Sequence, residues 1–425
     1  MERKKLASIT LGKIISGLTR TLKIGGGSAA PGLYALKLYP NLIKELVSQL
    51  PLNIIITGTN GKTTTSRMLA HFAQKQGLKV LRNSTGSNLE RGVASTLISA
   101  SHILSGKLKK YDLAIWELDE AAFNQLAPIL NPKMVVFLNV FRDQLDRYGE
   151  VDTVVNKWVE TLEKINKSAT IYLNSDDYNL AQLKDSFKGR VVTFGLENHQ
   201  ITGEKSLKKS NLPKAEFQIT DIKEKGFLGT SFKIKFNNLI APFTLPLPGI
   251  YHLYDFLASF ACAQELKIDP KSIKDSLNNF SPAFGRVEKT KDGYICLIKN
   301  PTGATQVFEM IKKELKKEDR LLVALNDKLA DGTDISWIWD ADFELLQKSK
   351  IFCSGSRAQD LALRLKYADF DGKSLQIEED LKKALTGARK GLKGRLFVLP
   401  TYTALLELQK LLAKEGAKEH YWKEK

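Results

Sequence analysis

The 425 residues leave room for two or three domains with sizeable cores, and a chain that is 43% apolar and 26% charged has the composition of an ordinary soluble protein. No run nears the roughly 18 apolar residues of a membrane-spanning helix, no signal peptide is visible, and Cys262, Cys296 and Cys353 are far apart, which argues against a disulfide framework or zinc knuckle and makes a reducing cytoplasm the expected setting. The net charge of +17 asks for an acidic partner or surface. Nucleic acid is not expected, because no recognition module is present and the lysines are dispersed along helix faces and loops. A phosphate-bearing substrate or a negatively charged inner membrane leaflet fits the charge as well.

In chain order, Leu6–Leu22 reads as a helix with Ile14, Ile15, Leu18 and Leu22 on one side. Packing on the main domain is its expected role, with a position flat on a membrane surface as the alternative. Gly25–Gly32 is too glycine-rich for the interior of any element. Then comes the stretch that carries the chemistry. Ile54-Ile55-Ile56 predicts a buried strand, Gly58 and Gly61 open a turn, and from Thr63 to Ala73 the apolar spacing becomes helical, with Met68, Leu69 and Phe72 on one side. Strand, glycine turn and helix start make a phosphate cradle: Gly58-Thr59-Asn60-Gly61 presents backbone N–H groups, Lys62 supplies a point charge, and the hydroxyl of Thr63 or Thr64 is placed to ligate Mg²⁺. An ordinary threonine-capped turn is the plainer alternative.

Strands are expected next at Lys79–Leu81, Leu113–Glu117, Met134–Leu138, Ala169–Leu173 and Val191–Phe194, separated by helices, which predicts a doubly wound parallel sheet. Ligands gather at the carboxyl ends of such strands, where the phosphate loop, Ser84, Glu117 and Asn139 all fall. Glu117 is a candidate Mg²⁺ ligand, directly or through water. Residues 197–248 read as lysine-rich loops and a hairpin insert around Glu216–Ile222 and Thr230–Phe236, followed by a helix from Gly249 through Leu266. A boundary is expected near 288–293. A second α/β domain then has strands at Tyr294–Ile298, Leu321–Leu325, Ile351–Cys353 and Leu396–Leu399. Lys299 ends the first of these strands, and Asn326–Glu344 packs five aspartates among two tryptophans.

The TGTNGKTT loop lacks the first glycine of the usual phosphate-loop pattern, and in this shorter form it resembles the Mur ligases and their folylpolyglutamate synthetase relatives. Phe141–Glu150, Gly249–Phe256, Phe284–Glu288 and Asn326–Glu344 are most similar to the MurT group within that family. The resemblance covers nearly the whole chain. It implies an α/β protein with a Mur ligase-like central P-loop ATPase domain built on a parallel sheet (51–290) and a smaller C-terminal α/β, Rossmann-like domain (291–425). Residues 1–50 are then a helical lead-in packed on the central domain, with no room for the nucleotide-sugar-binding domain that starts an ordinary Mur ligase. The four-cysteine zinc ribbon of some MurT proteins is absent, so no zinc is expected. Where other Mur ligases carry Asp-His for a second metal, this chain has Gln144, and Lys157 is only near the register of their carbamylated lysine. Asn is usual where His252 and Asp255 stand.

For function, the resemblance implies ATP and Mg²⁺ as cofactors. Gly58–Thr64, His252 and Arg286 would contact the nucleotide, Thr63, Ser84 and Glu117 would hold Mg²⁺, and Lys62, Glu117 and Lys299 would serve catalysis. The reaction would be amidation of the D-glutamate α-carboxylate of the lipid II stem peptide, through an acyl phosphate. The ammonia would come from a GatD-like glutaminase in a heterodimer, because this chain has no cysteine–histidine glutaminase of its own. Asp340, with Asp334 and Asp342 as alternates, is expected to complete that partner's active site. The protein would work in the cytoplasm or peripherally at the inner face of the membrane. A ligase adding an amino acid and a non-enzymatic nucleotide-binding scaffold are the rival readings.

Overall fold

The computed structural model describes residues 2–21, 29–83, 88–141, 151–198, 214–280, 285–347 and 349–415. Ser84 and Arg142–Glu150 of the expected site therefore lie outside the described residues. The chain begins with α1 (Glu2–Thr21), α2 (Ala30–Leu38) and α3 (Leu42–Val47). It then alternates: β1 (Asn53–Thr57), α4 (Lys62–Lys75), β2 (Val80–Arg82), α5 (Glu90–Ala100), β3 (Leu113–Glu117), α6 (Glu120–Leu130), β4 (Met134–Phe137), α7 (Val151–Leu162), β5 (Thr170–Asn174), α8 (Ala181–Ser186) and β6 (Arg190–Leu196).

The strands lie in the order β2-β3-β1-β4-β5-β6, all parallel. Every residue of β1, β3, β4 and β5 is buried, as expected of strands covered by helices on both faces. One face packs Phe123, Phe137 and Trp158 together, the indole centroid 5.1 Å from that of Phe137. The other buries Phe72 of α4 edge-on to Phe256, 6.1 Å between centroids. These aromatic contacts fix α4 and its N-terminal loop to the sheet. In register, Ile56 stands opposite both Glu117 and Val136, so the ends of β3 and β4 flank the loop that follows β1.

The expected hairpin insert is larger than two strands and is no separate unit. β7 (Phe217–Glu224) pairs parallel to β6, and β8 (Thr230–Phe236) and β9 (Leu239–Leu245) extend the same sheet antiparallel to nine strands. β9 escapes sequence reading for two reasons. Its turn is Asn237-Asn238, both at positive φ (49° and 46°), where Asn-Gly is the familiar signal. It also carries Pro242, which is tolerated because β9 is an edge strand.

After α9 (Tyr251–Glu265) and α10 (Pro270–Leu277) comes a second sheet. It comprises β10 (Glu288–Lys289), β11 (Gly293–Ile295), β12 (Arg320–Ala324), β13 (Lys350–Ser354), β14 (Leu375–Ile377) and β15 (Leu396–Pro400), in the order β10-β11-β15-β12-β13-β14. Helices α11 (Pro301–Lys312), α12 (Ala358–Tyr367), α13 (Leu381–Arg389) and α14 (Tyr402–Lys414) cover it. All its pairings except β10–β11 are parallel. β14 is three residues long and half-exposed, too short to leave a periodicity in the sequence.

The N-terminal helix packs on the side opposite to the one its apolar pattern suggests. Ser8, Ile9 and Gly12 are buried, whereas Ile14 and Leu18 are 56% and 55% exposed. Leu22 lies outside the described residues. Small residues decide this: a Cβ at Gly12 would approach the Ile98 side chain of α5 to 2.8 Å, and the Ser8 hydroxyl donates to the Ala35 carbonyl of α2 at 2.8 Å. Close helix contact through Gly and Ser outweighs burying two more aliphatic side chains. Among the described residues, no helix is long and apolar enough to cross a membrane.

Candidate active site

Gly58, at φ +136°, lets the chain leave β1 against the backbone of Asn139, where a Cβ would come within 2.8 Å of the Asn139 carbonyl oxygen. Gly61, at φ +89°, caps α4. Between them the loop is moored to the segment after β4. The Thr59 hydroxyl accepts from the Phe141 N–H at 3.0 Å, and the Asn139 side chain accepts from the Asn60 N–H at 2.8 Å while donating to its carbonyl at 3.1 Å. The result is a held loop at the positive end of a helix dipole.

Two ammonium groups converge on this loop. Lys62, only 9% exposed, donates to the carbonyls of Gly58 and Thr59, at 3.1 Å for the latter. Lys299, which lies beyond β11 because that strand ends at Ile295 and not at the expected Ile298, donates to the same Thr59 carbonyl at 3.2 Å. Two positive charges at one oxygen form a local field that draws anions. A second link crosses beside them. The Asn60 and Asn300 amides exchange hydrogen bonds at 3.3 and 3.1 Å, and Asn300 also caps α11 by accepting from Gly303 N–H at 2.8 Å. The phosphate loop and the start of α11 are thereby clasped together.

On the other side of the loop the Thr63 hydroxyl donates to Glu117 Oε1 at 2.6 Å. Glu117 is 4% exposed, and its Oε2 has no hydrogen-bond partner. Asn83 holds the Glu117 backbone on both sides, donating to its carbonyl and accepting from its N–H, each at 2.8 Å. A buried carboxylate oxygen left without a donor is costly unless a cation completes it. Glu117 and Thr63 thus fit Mg²⁺, which takes one or two protein oxygens and fills the rest of its shell with phosphate and water. Among the described residues no group of three or more His, Cys, Asp or Glu side chains is placed to hold a metal, so a site made of protein ligands alone is not what the geometry offers.

A cleft opens between the loop and the second sheet, lined by Asn60, Gly61, His252, Arg286, Lys299 and Gln306 among others. At its floor His252 Nδ1 and Asp255 Oδ2 are 3.1 Å apart, and His252 Nε2, fully buried, has no partner. Burial pushes the Asp255 carboxyl above its ordinary range, against the pull of its hydrogen bond with His252. The neighbouring Tyr254 hydroxyl donates to Asp176 Oδ2 at 2.7 Å, which pins the first turn of α9 to the main sheet.

Asp255 also wedges the phosphate loop: a Cβ on Gly61 would lie 2.1 Å from its Oδ1. Gly61→Ala combines that clash with a left-handed backbone that costs a non-glycine residue about 1–2 kcal/mol. The variant is expected to bind an ATP analogue at least roughly tenfold more weakly, measured by fluorescence titration, with its far-ultraviolet circular dichroism retained. Unchanged affinity would mean that the loop does not cradle the nucleotide.

The sequence-predicted residues Gly58 to Thr64, Glu117, Lys299, His252 and Arg286 thus gather around one loop and one cleft. Asp340 stands elsewhere, exposed at the end of the 3₁₀ turn Ser336–Trp339 and not among the residues lining the cleft. Lys157 is exposed on α7. Sequence reasoning missed Asn83, which directly follows β2 and positions Glu117, and the Asn60–Asn300 clasp, for which no local signal exists.

Comparison with known proteins agrees with this architecture. Residues 56–263 match the Mur ligase middle domain family and residues 297–405 the MurT ligase C-terminal family. The chain is 31% identical to the lipid II isoglutaminyl synthase (glutamine-hydrolyzing) subunit MurT of Staphylococcus aureus (strain COL), over 89% of this chain and 91% of that one. It is 30% identical to the subunit of the same name from Streptococcus pneumoniae (strain ATCC BAA-255 / R6), over 92% and 93% of the two chains. In fold it is similar to MurF from Acinetobacter baumannii, with a TM-score of 0.68 and 19% identity over 90% of this chain and 80% of that one. It is also similar to the MurF ligase of Thermotoga maritima in complex with ADP, with a TM-score of 0.66 and 14% identity over 90% and 85% of the two chains. With both halves of the chain matched by family and the relatives aligned over nearly their full length, the chain belongs to the MurT family of Mur ligases.

Proposed function

We propose that this protein is the ATP-dependent ligase subunit of a lipid II isoglutaminyl synthase. It amidates the α-carboxylate of D-glutamate in the stem peptide, with ammonia delivered by a GatD-like glutaminase partner. The observation that carries the reading is the convergence of Lys62, at the start of α4, and Lys299, beyond β11, on Thr59, beside the Thr63–Glu117 pair with its unpartnered buried oxygen. In this reading residues 51–290 hold the nucleotide and residues 291–425 close over it, with Lys299 and the Asn60–Asn300 clasp at the seam.

Each group then has a task. The loop N–H groups and Lys62 bind the β- and γ-phosphates. Arg286 and His252 hold the rest of the nucleotide along the cleft. A carboxylate oxygen of the substrate attacks the γ-phosphorus and ADP leaves. Lys299 neutralises the charge on the acyl phosphate. Ammonia then adds to the acyl carbon, phosphate departs, and the nitrogen loses a proton to give the amide. Glu117 and Thr63 would hold Mg²⁺, which supplies charge neutralisation at the phosphates when bound. The substrate is carried by a lipid, so the protein would act from the cytoplasm at the inner face of the membrane.

The test is purified chain with ATP and a peptidoglycan precursor, supplied in turn with ammonium, with amino acids, and with glutamine plus the partner. Amide formed from ammonium alone, and from glutamine only with the partner, is the expected result. Amino-acid addition would replace this reading with that of an ordinary Mur or folylpolyglutamate-type ligase. Glu117→Gln keeps the shape and removes the charge, so the magnesium concentration for half-maximal rate should rise by about tenfold, with slower turnover at saturation. An unchanged magnesium titration would assign Glu117 to structure.

A further inference from the structure

The first two helices, α1 and α2, leave an apolar surface uncovered. On α1, Leu11, Ile14 and Leu18 are exposed at the i, i+3 and i+7 positions. On α2, Leu33, Tyr34 and Leu38 are exposed as well. The contacts of the helices bring Tyr34 and Leu38 beside Leu11 and Leu18, whereas Leu33 lies on the flank of α2 away from α1. Ser8 and Gly12 of α1 meet Ala35 and Pro31 of α2, while Gly12 also meets Ile98 of α5. At 3.6 residues per turn, Leu11 and Leu18 fall roughly 100–120° from Gly12 on the α2 side. By the same geometry Tyr34 and Leu38 lie on the α1 side of α2, turned away from Gly32, which meets α5. On the opposite shoulder of α1, Leu6 and Lys5 touch the loop at Gly106, and that loop presents Ile103 and Leu104, 51% and 92% exposed. Ile14 crowns the ridge between the two flanks.

The rim of this surface is predominantly basic, with Glu2 at the start of α1 an exposed acid among the cations. Arg3, Lys4, Lys37, Lys107, Lys109 and Lys110 are all exposed around it, and the Lys37 ammonium lies 5.8 Å from the centre of the Tyr34 ring. Burial lowers the Lys13 pKa, and the nearby Lys109 charge adds to the effect. A second copy of the chain docking symmetrically would set these cations against themselves. An anionic bilayer instead offers phosphates to the rim and acyl chains to the crown, the arrangement that seats interfacial helices.

We infer that the α1–α2 ridge and the 102–107 loop form a docking face for an anionic lipid bilayer, which keeps the enzyme at the surface where its lipid-linked substrate resides. The inference rests on the reading above for its purpose, but its test does not depend on it. The full-length protein is mixed, without nucleotide or precursor, with phosphatidylcholine vesicles that contain or lack phosphatidylglycerol, and bound protein is read by flotation. Binding is expected only with phosphatidylglycerol, and it should weaken as salt is raised. Ile14→Glu with Leu18→Glu, and separately Leu104→Glu, should each reduce the floated fraction on the order of tenfold. All three positions are at least half-exposed, so the variants should keep the wild-type melting temperature and amidation of a precursor lacking the lipid.

Absence of wild-type flotation, or unaltered flotation of both variants, overturns the inference. So does loss of a dimer or of the glutaminase partner on size exclusion of the variants, which would make the face a protein interface. A protein that floats yet forms no amide would sink the catalytic reading and leave the docking face standing.

Discussion

Lys62→Ala is expected to abolish ATP-dependent amidation, by on the order of 10²–10³-fold or more, while the protein stays folded. The Lys62 ammonium donates to the carbonyls of Gly58 and Thr59 within its own loop. Removing it takes one donor from each carbonyl, and Lys299 still serves Thr59. The structural cost is therefore small, on the scale of about one ordinary hydrogen bond. The catalytic cost is large, because a charge that follows the transferring phosphate acts where little water screens it. The check is single-turnover amidation with ammonium, alongside thermal unfolding. Near-normal turnover would mean that the phosphate loop has been misread. A melting temperature far below wild type would assign Lys62 to folding.

Asp340→Asn, in the reconstituted pair with the glutaminase, is expected to lower glutamine-driven amidation by on the order of 10²–10⁴-fold and to leave ammonium-driven amidation intact. A cysteine glutaminase needs a histidine base, and a third carboxylate orients that histidine and stabilises its charged form. Several features suit Asp340 to act in trans. It is exposed, and Trp339 beside it is 48% exposed and packs edge-on to Tyr367, 71% exposed, with ring centroids 5.6 Å apart. Beneath them, buried Arg364 donates to the carbonyls of Ile338 and Ala341 at 3.0 and 2.9 Å and pairs with Glu344 at 2.9 Å. The turn is thus braced from inside while its outer edge stays open, the combination expected of an interface anchor. Equal loss with both nitrogen sources would place Asp340 in the ligase site or the fold, and the shared-triad proposal would fail.

Sequence and structure divide the acidic segment instructively. Five aspartates between Asn326 and Glu344 look alike in a string. In the fold Asp331 is buried, accepting from Thr403 N–H at 2.7 Å, Asp334 caps its own turn by accepting from Ser336 N–H at 2.8 Å, and Asp327 pairs with Arg357 at 3.4 Å. Asp340 and Asp342 are left at the surface. Of the two tryptophans in the segment, Trp337 is half-buried against the second core and Trp339 is exposed.

The sequence by itself determined whatever depends on neighbours along the chain. β1, the glycine turn and the start of α4 follow from three consecutive β-branched residues, two glycines that tolerate positive φ, and helical spacing from Thr63. The parallel sheet follows from apolar strands alternating with helices, and Glu117 from its place at the end of one. Tertiary structure alone decided what depends on packing between distant segments. No local pattern tells that Asn60 will meet Asn300, 240 residues away, or that Lys299 will share a carbonyl with Lys62. The side of α1 that is buried was settled in the same way. Its aliphatic stripe marks one face, but Ser8 and Gly12 let the backbones of α2 and α5 come closer on another, and close contact over a helix length outweighed the hydrophobicity of a few side chains.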